Sequence, residues 1–421
     1  MIDLPWLLML LSIILFCGAA LAALTVFFNK LGYTPIKLPL LRLNLPKVPC
    51  DKKVYYEIAL CCISSRIVIY IIGALGYMLV KNQPINLLSS FSTLFNKWDG
   101  AHYTFLAENW YVNYGDKKNL LVFFPLYPIA IKALSLITFN YQIAGVLVSN
   151  ISLIIGCIYL YKITEMDFGS DIAFRAVKYL LLFPVSFFLG ITYGESMFFA
   201  LSVVTLFYWR KKSYKTSSIL AFLAALTRSF GLLLVIPMLT DLIIEYKNKG
   251  KLINKNELWG RFSTILSPFL GISTYLLINL QVSGNALTFL KYQKEHWHQS
   301  LGFFGSTVKM LTKNSLEAQP AESASLWVPQ LILIFIALLL LCYGIKHLNI
   351  SYVTYMIGYI FLTISPTWLL SAPRYLMCLF PLFILLGYIG KKSDLDFAIT
   401  ILMATSLGFC TIAFVNGYYI M

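Results

Sequence analysis

Residues 120–162 read LLVFFPLYPIAIKALSLITFNYQIAGVLVSNISLIIGCIYLYK, and this stretch decides the fold. Its second part, 143–161, contains no charged residue. About 20 apolar residues in a helix cross the hydrocarbon of a bilayer, so the spacing predicts a membrane span. The first part, 120–139, is as apolar but carries Pro125, Pro128 and Lys132. Each proline removes a backbone donor that lipid cannot replace, so this part is expected to lie in the interface or to re-enter without crossing.

Runs of the first kind recur from end to end. Hydrophobic residues make up 59% of the 421 and charged residues only 12%, and the mean hydropathy is +0.76. Lipid is the main solvent, and an all-α, polytopic transmembrane helical bundle is expected. Spans are predicted at 4–28, up to about Val80, then near 143–161, 175–191, 195–209, 216–228, 230–246, 262–281, 327–345, 351–366, 374–390 and 396–416, about 11–13 in all. Leu4 to Phe28 lacks a basic leader and an Ala-x-Ala cleavage site, which favours a retained span over a signal peptide. Residues 1–53 then form an extra N-terminal span with a basic cytoplasmic segment, and 54–421 the main membrane unit.

The net charge of +15 comes from 33 Lys and Arg against 18 Asp and Glu. The basic residues sit in short clusters between apolar runs: Lys30 to Lys53, Lys162 with Arg175 and Lys178, Arg210-Lys211-Lys212 with Lys215, Lys247 to Arg261, and Lys391-Lys392. That is the positive-inside pattern rather than a nucleic-acid surface. Placing every cluster inside requires that 120–139 not cross, and it puts 81–142, Thr192 to Glu195, Arg228, 282–326 and Ser365 to Arg374 on the outer or lumenal face. The eight cysteines include no CxxC pair, and His296 and His298 lie at i and i+2, so neither a disulfide framework nor a metal site is indicated, though a divalent metal is left open. P-loop, GxSxG, HExxH and dinucleotide motifs are absent.

Ionisable residues at the edge of hydrocarbon are functional candidates by default. Asp99, in Lys97-Trp98-Asp99-Gly100-Ala101-His102, suits a general base toward an acceptor hydroxyl, with Trp98 free to stack on a sugar; a helix cap and an interfacial aromatic belt would use the same two residues. Glu195 is either a second acid facing that cavity or a first-turn acid meeting a helix dipole. Arg228 and Arg374 either hold a lipid phosphate or snorkel to the surface. Gln293 and Trp297, in the large outer loop, suit sugar contacts.

In order along the chain, Trp98-Asp99-Gly100 with Tyr103, Ala107-Glu108-Asn109 and Phe123-Phe124-Pro125-Leu126-Tyr127-Pro128 resemble the PIG-V family, the second mannosyltransferase of glycosylphosphatidylinositol assembly and its prokaryotic relatives. Phe183-Pro184, Tyr193-Gly194-Glu195-Ser196, Leu226-Thr227-Arg228-Ser229-Phe230-Gly231, Gln293 with Trp297, and Pro373-Arg374-Tyr375 with Phe380-Pro381 extend the likeness over roughly residues 60 to 390. Asn109-Trp110-Tyr111 departs from the Gly-Tyr of many relatives, which bears on the acceptor. The resemblance implies a GT-C type enzyme that takes a hexose, mannose above all, from a polyprenyl- or dolichyl-phosphate donor to a lipid-linked or glycan acceptor with inversion. It further implies catalytic roles for Asp99 and Glu195, and substrate contacts by Lys97, Trp98, His102, Tyr103, Arg228, Gln293, Trp297 and Arg374. The membrane would be a bacterial plasma membrane or that of the endoplasmic reticulum. A flippase or transporter of lipid-linked sugars is the competing reading, and its charges would stand near the midplane on broken helices.

Overall fold

The structure, a computed structural model, describes residues 3–33, 53–85, 90–249 and 255–420. Most of the basic segment Lys30 to Lys53, with Cys50, lies outside the described residues, as do 250–254 of the cluster Lys247 to Arg261. Among those described, the chain is helical, with one isolated antiparallel bridge between Leu301 and Pro366.

In chain order the elements used below are α1 (Leu4–Lys30), α2 (Lys53–Lys81), α3 (Asp99–Asn109), α4 (Leu126–Thr138), α5 (Tyr141–Phe168), α6 (Ser170–Leu181), α7 (Glu195–Arg210) and α8 (Tyr214–Thr227). They continue with α9 (Val235–Lys249), α10 (Lys255–Ser283), α11 (Thr288–His296), α12 (Phe304–Glu317), α13 (Val328–His347), α14 (Ile350–Ile364), α15 (Ala372–Met377), α16 (Phe380–Ile389) and α17 (Ser393–Val415). Local chemistry sets their ends. Asp3 accepts from the Trp6 amide at 3.0 Å to start α1, and Asn140 accepts from Gln142 and Ile143 at 2.9 and 3.0 Å to start α5. Gly169, at φ +83°, ends α5 in a conformation that side chains disfavour.

Seven helices among the described residues are long and apolar enough to cross a membrane, eight if one bent pair counts as a single span, and the chain is a multi-pass integral membrane protein. The bent pair is the segment expected to re-enter: a 3-10 turn, Asp116–Val122, meets α4 at 108°. The carbonyls freed at this break are taken by side chains, Leu121 by the Tyr275 hydroxyl at 2.7 Å and Phe123 by that of Tyr111 at 2.5 Å.

Several predicted spans differ from the observed helices. Apolar runs 175–191 and 374–390 break at Phe183-Pro184 and at Cys378-Leu379, giving the 12-residue α6 and the 6- and 10-residue α15 and α16. Segments 195–209, 216–228 and 351–366 form helices of 16, 14 and 15 residues. A window of hydropathy joins such pieces because it does not register a backbone break whose polar groups are satisfied by neighbours. The expected outer loop 282–326 is mostly helical: α11, then α12 packed along α1, where Phe16 meets Phe304 at 5.1 Å.

The helices run so that the two ends of the bundle differ. α7 starts at Glu195 and ends at Arg210, which meets Asp167 near the end of α5 and Tyr352 near the start of α14. Lys178, Arg261 and Lys212 pair with acids at that same end. The opposite end gathers the start of α3, the start of α7, the end of α8 and α15.

Candidate active site

Four charged side chains meet at that second end. Asp99 begins α3, directly after Trp98, whose backbone stands at φ +54°. Glu195 begins α7, where the helix dipole favours an acid. Arg228 follows the last residue of α8, and the chain can turn there because Gly231 packs on the Ala225 backbone, where an added Cβ would stand 2.5 Å away. Arg374 lies in the first turns of α15, behind Pro373.

One oxygen of Glu195 holds both arginines. Oε1 accepts from Arg374 Nε at 2.8 Å and Nη2 at 2.6 Å, and stands 2.8 Å from Arg228 Nη1. Arg374 Nη2 also donates to Asp99 Oδ2 at 2.9 Å. The four form one chain, Arg228–Glu195–Arg374–Asp99, brought together from positions up to 275 residues apart. Exposure grades along it: the Glu195 side chain is 0% exposed, Arg374 6%, Arg228 16% and Asp99 25%. Aromatic faces fence the guanidinium groups, with Phe188 and Tyr193 at 4.9 and 4.8 Å from Arg374 and Tyr375 at 5.1 Å from Arg228.

Tyr193 links this chain to its support. Its hydroxyl donates to the Lys97 carbonyl at 2.8 Å, fixing the turn that aims Asp99, and its own carbonyl accepts from Ser149 at 3.1 Å. Ser149 in turn meets the Tyr127 hydroxyl at 2.7 Å. Tyr103 is buried between Tyr127, Tyr193 and Phe123. His102 lies 5.5 Å from Phe123, and burial holds its imidazole below the ordinary range, against the opposite pull of Asp99.

Of the eleven buried side-chain polar atoms without a hydrogen bond among the described residues, five are here: Asn96 Oδ1, Trp98 Nε1, His102 Nδ1, Glu195 Oε2 and Arg228 Nη1, the last an ion contact without hydrogen-bond geometry. Each such atom costs about 1–3 kcal/mol, so their concentration marks a place built for something polar to bind.

The remaining sequence candidates stand apart from the four charges. The Lys97 ammonium caps the last helix, donating to the Val415 and Phe414 carbonyls at 2.5 and 3.4 Å. The Trp98 ring lies on Tyr419 at 4.7 Å. Gln293 donates to Gln299 within its own loop at 2.5 Å. Trp297 reaches the site indirectly, edge-on to Phe123 at 6.1 Å. Among the described residues no three His, Cys, Asp or Glu side chains converge as metal ligands. A shallow, open depression of about 610 Å³ lined by Arg175, Lys178, Asp396 and Phe397 lies at the other end of the bundle, where Lys178 and Asp396 already neutralise each other at 2.5 Å. Tyr193 and Phe188 carry no signal of their own in the sequence; Tyr193 stands two residues before Glu195, but only the fold shows that its ring covers Arg374.

Comparison of the whole sequence with curated proteins gives no match. Among solved structures the chain is similar to the archaeal oligosaccharyltransferase AglB from Archaeoglobus fulgidus, in complex with an inhibitory peptide and a dolichol-phosphate, at 13% identity and a TM-score of 0.44. That likeness covers 87% of this chain and 56% of AglB, so the chain spans little more than half the length of that protein. Residues 78–295, just over half of the chain and including Asp99, Glu195 and Arg228, match the family described as Mannosyltransferase (PIG-V), and the chain belongs to that family.

Proposed function

We propose that the chain is a membrane mannosyltransferase that moves a mannosyl group from a polyprenyl- or dolichyl-phosphate donor to a hydroxyl of a lipid-linked or glycan acceptor, with inversion. Asp99 is the general base. It takes the acceptor proton as the hydroxyl oxygen bonds to the anomeric carbon; the bond from that carbon to the phosphate oxygen breaks, and the lipid phosphate leaves with the electron pair. The reading rests on one observation: of the two carboxylates in the charge network, Asp99 is the exposed one, 25% against 0% for Glu195.

Glu195 anchors the two guanidinium groups in this scheme. Three nitrogens converge on its Oε1 and its side chain is 0% exposed, so an acceptor hydroxyl meets Asp99 rather than Glu195. Arg228, with its one contact to Glu195 and a side chain 16% exposed, is the cation available to the leaving phosphate; Arg374, shared between two acids, orients Asp99. Fixed charges of this kind stabilise the transition state without reorganising.

The site would face the outer or lumenal side of a bacterial plasma membrane or of the endoplasmic reticulum. Support comes from the paired basic residues Arg210, Lys178 and Arg261 at the opposite end of the bundle. The test is transfer by purified protein from polyprenyl-phosphate mannose to a lipid-linked glycan acceptor, comparing wild type with Asp99→Asn. Loss in the variant by about 10²–10⁴ is expected. Equal rates sink the base assignment; transbilayer movement of the donor without transfer replaces the enzyme by a flippase.

A further inference from the structure

Arg66 stands midway along α2, an apolar span, and among the described residues no carboxylate pairs with it. A guanidinium in that position is costly and marks function or backbone repair. Its partners are the chain break between α6 and α7. Nη1 donates to the Ser186 carbonyl, and Nη2 to the Leu181 carbonyl at 3.2 Å and to Ser186 Oγ at 3.3 Å. These carbonyls end α6 and open the following 3-10 turn, where Arg66, together with the Ser186 hydroxyl at 2.6 Å from the Leu181 oxygen, stands in for the amides of a continuous helix, which lipid would not do. The planar fork of arginine spans both ends of such a gap; a lysine reaches one.

The same segment fits tightly around Arg66. A Cβ on Gly190 would lie 2.6 Å from Arg66 Cδ, and the Gly190 carbonyl accepts from Asn150 Nδ2 at 2.9 Å. Ser196, beside Glu195, donates back to the Leu189 carbonyl at 2.5 Å. Guanidinium, broken segment and acid are thus connected by direct contacts. We propose that Arg66 is a positioning residue: it bridges the break at 181–190 and so sets where Glu195, and through it Arg228 and Arg374, stand.

The activity readout of this inference rests on the transfer reaction proposed above, so the experiment adds a readout that does not. Amide hydrogen exchange and steady-state transfer from polyprenyl-phosphate mannose are measured on the full chain in nanodiscs, for wild type, Arg66→Met, Arg66→Lys, Gly190→Ala and the Arg66→Met/Gly190→Ala double variant. In Arg66→Met, exchange should rise about tenfold or more across 182–194 while α3 and α8 stay as in wild type. Misplacement on the order of 1 Å at the acid should lower kcat about a hundredfold, with the donor KM nearly unchanged, and Arg66→Lys should recover part of it. Gly190→Ala should act alone but add little to Arg66→Met, since both loosen one contact. Unchanged exchange at 182–194, a uniform rise over all helices, or full additivity overturns the inference. A wild type that transfers no mannose instead sinks the proposed function and leaves the exchange data to decide the role of Arg66.

Discussion

The two ends of the bundle each hold arginines against acids, and they do so differently. At the basic end Asp167 uses both oxygens on Arg210 at 2.6 Å, with Tyr352 adding a third contact at 3.0 Å, and Arg261 divides its Nη2 between Glu245 and Glu257 at 2.5 and 2.6 Å. At the other end Glu195 gives one oxygen to three nitrogens, leaves the second without a partner, and passes Arg374 on to a partly exposed Asp99. The first pattern matches donors to acceptors locally, except for one buried nitrogen, Arg261 Nε, and serves stability. The second keeps polar capacity in reserve inside a fence of aromatics, an arrangement that costs stability and suits chemistry.

Neutralising the hub of the open network should have the largest effect. Glu195→Gln leaves two enclosed guanidinium groups facing each other without their shared anion, and breaking a buried pair in this way costs about 3–5 kcal/mol. Both the melting temperature and mannosyl transfer should fall. Wild-type melting in this variant would mean that the arginines hold their places without Glu195, and the contrast between the ends would lose its basis.

Asp99→Asn should separate chemistry from stability. Arg374 keeps its two hydrogen bonds to Glu195, so melting should stay near wild type while transfer drops by about three orders of magnitude, within the range for a lost general base. The converse variant is Arg210→Met at the basic end. Losing charge-assisted hydrogen bonds to Asp167 costs about 1.5–3 kcal/mol, read as a lower melting temperature, with kcat per folded molecule unchanged. A kcat that falls with Arg210→Met would show the ends to be coupled.

The sequence made the ends visible because charge beside apolar runs is a local signal: Arg228 and Arg374 each interrupt one, Glu195 opens one, Asp99 stands on the loop between two, and Pro125 with Pro128 foretold the bent segment. It did not reveal who pairs with whom. Glu195 and Arg374 are 179 residues apart, and spacing alone leaves two arginines free to bind phosphate when one is shared between two acids. Lys97 looked like a substrate contact from its place beside Asp99, yet its ammonium reaches the end of α17. Arg66 carried its own signal, a lone charge within an apolar run, but its partners are backbone carbonyls, which no residue pattern encodes.

The smallest effect is expected where the open end meets the loop between α10 and α13. Trp297 touches Phe123 edge-on at 6.1 Å, and Phe123 touches both His102 and Tyr103, so the indole lies two contacts from the helix that Asp99 begins. An aromatic contact of this sort is worth about 0.5–1.5 kcal/mol, which corresponds to about two- to tenfold in binding. Trp297→Ala should therefore raise the acceptor KM by that factor and leave kcat alone, the mark of a group that binds ground state and transition state equally. A fall in kcat with an unchanged KM would place the loop in the chemistry itself, and the open end would then extend from the four charges through Phe123 to residues that the helical bundle does not carry.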